Sequence, residues 1–570
     1  MHRRSFLLTG AGLAGATLAP GALGASAANA LAAPTILTSR FAHRRAELLI
    51  RGGTVYDGTG APPIRADVRI SGDRIAAVGP NLAADGARVI DAAGHAVAPG
   101  FIDIHSHTDT ELLRSPNAES KVRQGVTTEV AGQDGSSVAP ASPQAAASTR
   151  EQYRERGIDI DTTTLGGFFR GLEQGGASVN LASMVGAGTI RGLVVGNANR
   201  APTDAELERM VALVRQAVAD GACGLSSGLE YTPGGFATKA ELAALAAPFR
   251  GSGLPYASHM RNEDDELIAA IEEALDIGRA AGVPVHISHL KAQGERNWWK
   301  AEPVLRMLEA ANAGGRDVTY DRYPYIAYST GLTNLFPLWS RDGGTNAFLE
   351  RLQDPAQRPR IEAEVRGKID ELGSWDAVQI TSTGAAYAWA RGKRLGRLAA
   401  ERNAEPFALL LEIMTGDRAR PGMVGFGMSE ENTERFLAHP LGMICSDAPA
   451  YTIPRDPSSS TPHPRGYGSY PRVLGHYVRD RGIMPLETAI HKMSGMPGAR
   501  LRLEGRGRLA VGAFADVVVF DAATVADRAT FEAPHAYPVG IPYVVVNGEV
   551  VIDRGGHTAA KAGRVLRTGR

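Results

Sequence analysis

With 570 residues the chain exceeds one small domain, yet a large α/β barrel with appendages absorbs nearly all of it. Its 61 basic residues balance 61 acidic ones and no long run of one sign occurs along the mature chain, which argues against nucleic acid as the main partner. Beyond the first forty residues no apolar stretch approaches the roughly 20 that a membrane span requires, so no stable membrane insertion is expected after leader removal.

Taken in chain order, Arg3-Arg4-Ser5-Phe6-Leu7-Leu8 places paired arginines before a run of Ala, Gly and Leu that ends in small residues. This is the pattern of a twin-arginine export signal, assigned to 1–33, and it predicts a periplasmic or secreted protein. An uncleaved anchor is the alternative, for which the apolar run is short. Across 46–98, short alternations such as Thr54-Val55-Tyr56-Asp57-Gly58 and Arg74-Ile75-Ala76-Ala77-Val78-Gly79 are hairpin signals. The same texture returns in 505–560, as in Ala515-Asp516-Val517-Val518-Val519-Phe520, so the two ends are expected to combine into one small β-domain. Between them, over 99–504, apolar segments alternate with helical patterns: Glu206 to Asp220 leads to Gly224-Leu225-Ser226-Ser227, and Glu266 to Ala281 leads to Val283-Pro284-Val285-His286-Ile287-Ser288-His289. That alternation predicts a parallel α/β architecture, and polar residues recurring at the ends of several apolar segments favour a (β/α)8 barrel over an open sheet. Residues 345–441 read as a charged, helical insertion that lids the site. Cys223 and Cys445 form no metal-spacing motif and read as two buried thiols.

The strongest chemical signal is Val97-Ala98-Pro99-Gly100-Phe101-Ile102-Asp103-Ile104-His105-Ser106-His107. On a strand, residues i and i+2 point the same way, so His105 and His107 can hold one metal at the strand end. His259, in Tyr256-Ala257-Ser258-His259, and His289, in Ile287-Ser288-His289, each close a further apolar segment, as does Asp447 in Gly442-Met443-Ile444-Cys445-Ser446-Asp447. A carboxylate at Asp447 can ligate a metal and also take a proton from water. His286, three residues before His289, is placed outside the site. No Gly-x-Ser-x-Gly elbow between strand and helix offers a competing nucleophile.

On these segments the chain resembles the N-acyl-D-amino-acid deacylases (D-aminoacylases) of the metal-dependent amidohydrolase superfamily, from about Glu47 to the carboxyl end. Gly224-Leu225-Ser226-Ser227-Gly228-Leu229-Glu230-Tyr231, Ser258-His259-Met260-Arg261-Asn262-Glu263, Ile287-Ser288-His289-Leu290-Lys291, Tyr323-Pro324-Tyr325 and Ser446-Asp447 carry the resemblance beside the His-x-His segment. It implies a distorted (β/α)8 TIM barrel beside a small β-sandwich domain built from both chain ends, and hydrolysis of N-acyl-D-amino acids by metal-activated water with Asp447 as general base and acid. The family's bridging cysteine, in Gly-Asn-Cys-Gly, is replaced here by Gly132-Gln133-Asp134-Gly135. Asp134 is therefore a candidate carboxylate bridge, with a turn aspartate as the alternative. The harder ligand admits Mn2+ or Co2+ as well as Zn2+, and leaves open whether one or two divalent metals bind.

An amino-acid product carries a carboxylate, which calls for cationic and hydroxyl donors. Lys291 follows His289 by two and points with it if the strand continues; Arg261 stands in the same relation to His259, with a structural ion pair as the alternative. The resemblance implies that Tyr323 and Ser329 bind the substrate carboxylate. His463 reads as a plain loop histidine. Other amidohydrolase substrates (a dipeptide, a cyclic amide or a lactone) are the rival within enzymes, and a metal-free binding protein is the rival outside them. Oligomeric state is left open.

Overall fold

The computed structural model describes residues 47–568 apart from Arg455, so the export signal read at 1–33 lies outside the described residues. Among them, parallel strands run in chain order through Phe101–Asp103, Val126–Ala131, Asn180–Ser183 continuing as Val185–Gly186, Leu225–Gly228, Tyr256–His259, Val285–Ile287, Val318–Arg322 and Gly442–Ile444. Each pairs in parallel with the next. The ring closes where Asp447 N donates to His105 O at 2.9 Å and Ser446 N to Asp103 Oδ1 at 2.9 Å, joining the last strand's end to the first. This is the distorted (β/α)8 barrel. Its strands are covered on both faces, which is why they read as short continuous apolar runs rather than as alternations. Cys223 and Cys445 are free and buried in one cluster with Ile102, Val130, Ala257 and Met443.

The connecting helices form where the sequence caps them. Asp204–Asp220 begins at Thr203, whose side chain and Glu206 make a reciprocal capping box, and it stops at Gly221 with φ of 102°. Leu267–Ala281 ends in the same way at Gly282. Among the described residues, no helix is long and apolar enough to cross a membrane.

Strands from both chain ends share one nine-stranded sheet, in which Val517–Phe520 of the carboxyl end pairs with Ala96–Pro99 of the amino end. The edge strand Arg74–Gly79 reaches the segment before Val517 through Ile75 N to Ala513 O at 2.9 Å, so the sandwich is hydrogen-bonded as one sheet wrapped over its core. Alternation explains the docking: Val517 and Val519 face that core with Leu48 and Ile50, whereas Val518 and Phe520 pack with Phe101 and Tyr470 of the barrel. The last residues continue along the barrel, with Leu181 N donating to Arg564 O and Leu566 N to Leu181 O.

The expected helical insertion is mixed. Residues 345–441 hold the helices Thr345–Gln353, Arg358–Leu372, Leu395–Glu401, Pro406–Gly416 and Glu430–Ala438, but also the strands Val378–Ser382 and Gly422–Phe426. These two join Ala327–Gly331 in an antiparallel sheet. Gly425 is required there, because a Cβ at that position would run into the ring of Tyr328 on the neighbouring strand.

Candidate metal centre

The first strand ends at Asp103, and the next residues bring His105 and His107 over the barrel mouth. His105 Nε2 lies 3.4 Å from Asp134 Oδ1 and 3.5 Å from Asp447 Oδ1; His107 Nε2 lies 3.5 Å from Asp134 Oδ2 and 3.0 Å from Asp447 Oδ1. A second nest adjoins it, with His289 Nε2 3.4 Å from Asp134 Oδ1, His259 Nδ1 3.7 Å from Asp134 Oδ2, and the two imidazole nitrogens 2.8 Å apart. Asp134 is common to both.

The backbone explains the convergence. Asp134, His289 and Asp447 all have positive φ, of 52°, 35° and 50°, a region that non-glycine residues enter at a cost and that clusters at functional sites. Gly132 and Gly135 flank Asp134 with φ of 73° and 72°, and a Cβ on Gly135 would come within 2.6 Å of Gly228 N. The glycines thus let the Asp134 loop press against the neighbouring strand ends.

Carboxylates stand behind the imidazoles. His105 Nδ1 faces Asp321 Oδ2 at 3.4 Å, and Asp321 is itself held by His286 Nε2 at 2.8 Å and His289 N at 2.7 Å. His289 Nδ1 lies 3.0 Å from Glu263 Oε1. Behind each ring a carboxylate stands on the Nδ1 side, so Nε2 faces the nest. His105 Nε2 and Asp134 Oδ1 are buried and have no hydrogen-bond partner among the described residues, a costly state that a divalent cation relieves. Imidazole and carboxylate donors suit zinc, manganese or cobalt, and so the residues fit such an ion.

The charges agree. Burial opposes charge on His107, yet its hydrogen bonds to the Asp134 and Asp447 carboxylates raise its pKa to about 9. Burial likewise opposes charge on His259, and Glu263, Asp134 and Glu230 raise it to about 10. Burial pushes the Asp134 carboxyl upward, but His105 and His289 hold it well below the usual range. Asp447 is also held low against its burial, first by Arg465 and then by His105. The nests hold carboxylates that demand positive charge.

The Amidohydrolase family profile matches residues 88–302 and 448–552. A D-aminoacylase of Alcaligenes xylosoxydans xylosoxydans is 39% identical over 91% of this chain and 97% of its own. The chain belongs to the amidohydrolase family. Among solved structures, a D-aminoacylase described for its binuclear metal centre is 38% identical, with a TM-score of 0.75 over 91% of this chain and 99% of its own. An N-acyl-D-glutamate deacylase of Bordetella bronchiseptica, solved with zinc and a phosphonate mimic of the tetrahedral intermediate, is 34% identical, with a TM-score of 0.77 over 92% of this chain and 100% of its own.

In this amidohydrolase the nests form the floor of a cavity of about 710 Å³, which Lys291, Tyr323 and Ser329 also line. Lys291 is buried and already paired, with Nζ 2.6 Å from Glu263 Oε1 and 2.6 Å from His289 Nδ1. Arg261 corrects the sequence reading. Its guanidinium is spent on Glu273 at 2.9 Å and 3.0 Å and on the carbonyls of Gly235 and Ala237, so it braces a helix outside the cavity. The chain turns after His259, and the two-residue rule for a strand no longer applies to Arg261.

Two groups escaped the sequence reading. Arg465 is buried with Nη1 2.8 Å from Asp447 Oδ2, and both Nη1 and Nε keep no geometrically sound hydrogen bond; the Tyr323 hydroxyl is likewise unpartnered among the described residues. His463 braces it, accepting from Arg465 N at 3.0 Å through Nδ1 and donating to Ala327 O at 2.9 Å. Beneath the floor, fully buried Lys121 reaches Asp103 Oδ2 at 2.7 Å, Glu129 Oε1 at 2.8 Å, Ser446 Oγ at 2.8 Å and Ala448 O at 2.8 Å. The available signal was Asp103 and Glu129 inside otherwise apolar strands, since buried charges require partners.

Proposed function

We propose that the protein hydrolyses the amide bond of N-acyl-D-amino acids, releasing a carboxylic acid and a free D-amino acid. The observation that carries this reading is the junction at Asp447, whose carboxylate lies between His107 and Arg465, with the Tyr323 ring against the Arg465 guanidinium and the Tyr323 hydroxyl unpartnered among the described residues. An N-acyl amino acid likewise presents an amide carbonyl close to a carboxylate. The likeness to a D-aminoacylase and to an N-acyl-D-glutamate deacylase supports the D series.

His105, His107 and Asp447 on one side of Asp134, and His259 and His289 on the other, would hold one or two ions of the zinc type, with manganese or cobalt also suited. Such an ion supplies a Lewis acid that acidifies water and polarises the amide carbonyl. Asp447 receives the proton of the attacking water and returns it to the leaving nitrogen. Arg465, Tyr323 and Ser329 hold the substrate carboxylate. A carboxylate that takes Arg465 removes the cation that keeps Asp447 acidic, so substrate binding raises the basicity of the group that must accept the proton.

Free amino acid released from matched N-acetyl-D- and N-acetyl-L-methionine by metal-replete protein tests the reading. Turnover of the D compound alone is expected, reduced by about a hundredfold or more in Asp134→Ala. Turnover of neither compound, or of the L compound alone, would reject it and direct the search to dipeptides, cyclic amides or lactones. A twin-arginine leader over 1–33 supports export of the folded protein. Amino-terminal sequencing checks this, and an intact terminus on cytosolic protein would reject it.

A further inference from the structure

One ionic group in the cavity lies outside the carboxylate site and outside the ligand sets of the nests, which it meets only at the outer nitrogen of His259. Glu230 lies just past the strand Leu225–Gly228 and lines the cavity. Its Oε2 accepts from Asn334 Nδ2 at 3.1 Å and lies 3.5 Å from His259 Nε2. Its Oε1 accepts no hydrogen bond among the described residues, and no lysine or arginine among them pairs with the carboxylate. Arg341 reaches only the Glu230 backbone carbonyl, at 3.0 Å.

The other charged residues of the cavity are all committed. Asp134 and Asp447 belong to the nests, Lys291 is bound to Glu263, and Arg465 stands against Asp447. Glu230, His259 and Glu263 do bring ligand atoms within 4.8 Å of one another, but both oxygens of Glu263 are taken, by Lys291 at 2.6 Å and Gln293 at 2.8 Å. A third metal is therefore a poor occupant. Among the described residues His259 is the one cationic neighbour of this carboxylate, 3.5 Å from Oε2, so Oε1 is left for a cation that a ligand brings.

Barrel order supplies the direction. Leu225–Gly228 is the fourth strand and Gly442–Ile444 the eighth, so they face each other across a closed ring of eight. Arg465 and Asp447 stand on the eighth-strand side and Glu230 on the fourth, with the nests between. The cavity is thus polarised, with a carboxylate receptor on one wall and, on the opposite wall, a carboxylate with one oxygen free.

We propose that Glu230 determines specificity by seating a cationic nitrogen of the substrate, across the metal floor from the carboxylate held at Arg465. The inference rests on the deacylase reading and narrows it to N-acyl-D-amino acids that carry an ammonium or guanidinium, and it sets acidic side chains at a disadvantage. The cation has two possible sources with the same chemistry: a basic D side chain, or the free α-ammonium of an aminoacyl group.

The test is kcat/KM of the metal-replete full chain and of Glu230→Gln on N-acetyl-D-lysine, glycyl-D-norleucine, N-acetyl-D-norleucine and N-acetyl-D-glutamate. At least one cationic substrate should exceed N-acetyl-D-norleucine by about tenfold or more, with the glutamate compound slowest. In Glu230→Gln the cationic-to-neutral ratio should fall toward one, mainly through KM. Preference for the lysine compound assigns the cation to the side chain, and preference for the glycyl compound assigns it to the acyl group. A wild-type ratio near one overturns the inference alone and leaves the deacylase reading standing. An equal loss on every substrate in Glu230→Gln, including complete loss, also overturns it, because it marks a role through His259. Hydrolysis of none of the four by the wild type rejects the deacylase reading and this inference with it.

Discussion

The floor of the cavity and its wall are built by different routes. On the floor every group hangs from the carboxyl end of a barrel strand: His105 and His107 follow the first, Asp134 the second, His259 the fifth, His289 the sixth and Asp447 the eighth. Strand order alone brings them together, and buried ion pairs such as Lys121 with Asp103 and Glu129 lock the register beneath. The wall is assembled by long-range pairing of Ala327–Gly331 with Gly422–Phe426 and by the loop that carries His463 and Arg465. Ligand geometry therefore depends on the barrel itself, whereas the shape offered to the substrate depends on packing outside it.

The sharpest way to break the floor is Lys121→Met. The ammonium joins strands one, two and eight, and a methionine leaves Asp103 and Glu129 buried without their cation. Removal of one partner from a buried pair costs about 3–5 kcal/mol, which urea unfolding of the metal-replete variant should show. A loss under about 1 kcal/mol would mean that the floor is held by packing rather than by charge.

Gly425→Ala addresses the wall. The added methyl meets the ring of Tyr328, so overpacking should cost about 1–3 kcal/mol and push the strand that bears Tyr328 and Ser329 out of place. KM should rise while metal bound per chain holds. Loss of metal with unchanged KM would show that floor and wall are not separate.

The same division decides what the sequence revealed. His105 and His107 were legible from a local rule, two positions on one strand face, and His259, His289 and Asp447 were legible as polar ends of apolar runs. Arg465 was not, because no periodicity relates it to Asp447; only the folded loop brings them within 2.8 Å. Arg261 misled because its direction was inferred from a strand that had already turned, and Glu273 on the following helix takes its charge. Lys291 points into the cavity as its spacing implied, yet Glu263 neutralises it, a partner that strand periodicity does not encode. The strand Val378–Ser382 lies between helices and takes its ladder from Gly422–Phe426, with an isolated bridge from Gln379 to Arg394 on its other side, so its identity depends on distant partners.

A second buried lysine gives the finest comparison, because it holds the other end of the same strand. Lys121 grips the carboxyl end of the eighth strand through Ser446 and Ala448, whereas Lys492 donates to the carbonyl of His439, just ahead of the strand's start at Gly442. Lys121 has two carboxylates, which raise its pKa against the effect of burial. Lys492 has none, and burial lowers its pKa to about 7. An unfolded lysine titrates near 10.4, so between these values the unfolded chain binds more protons than the folded one and stability rises with pH. For Lys492 the gain from pH 7 to pH 8 is about 1 kcal/mol, and it is lost again as pH falls through 7. The raised pKa of Lys121 makes its contribution flat across that window. The stability difference between wild type and Lys492→Met should therefore widen by that amount from pH 7 to pH 8. A constant difference for Lys492→Met would mean that this lysine stays charged when buried and that the His439 carbonyl alone is partner enough.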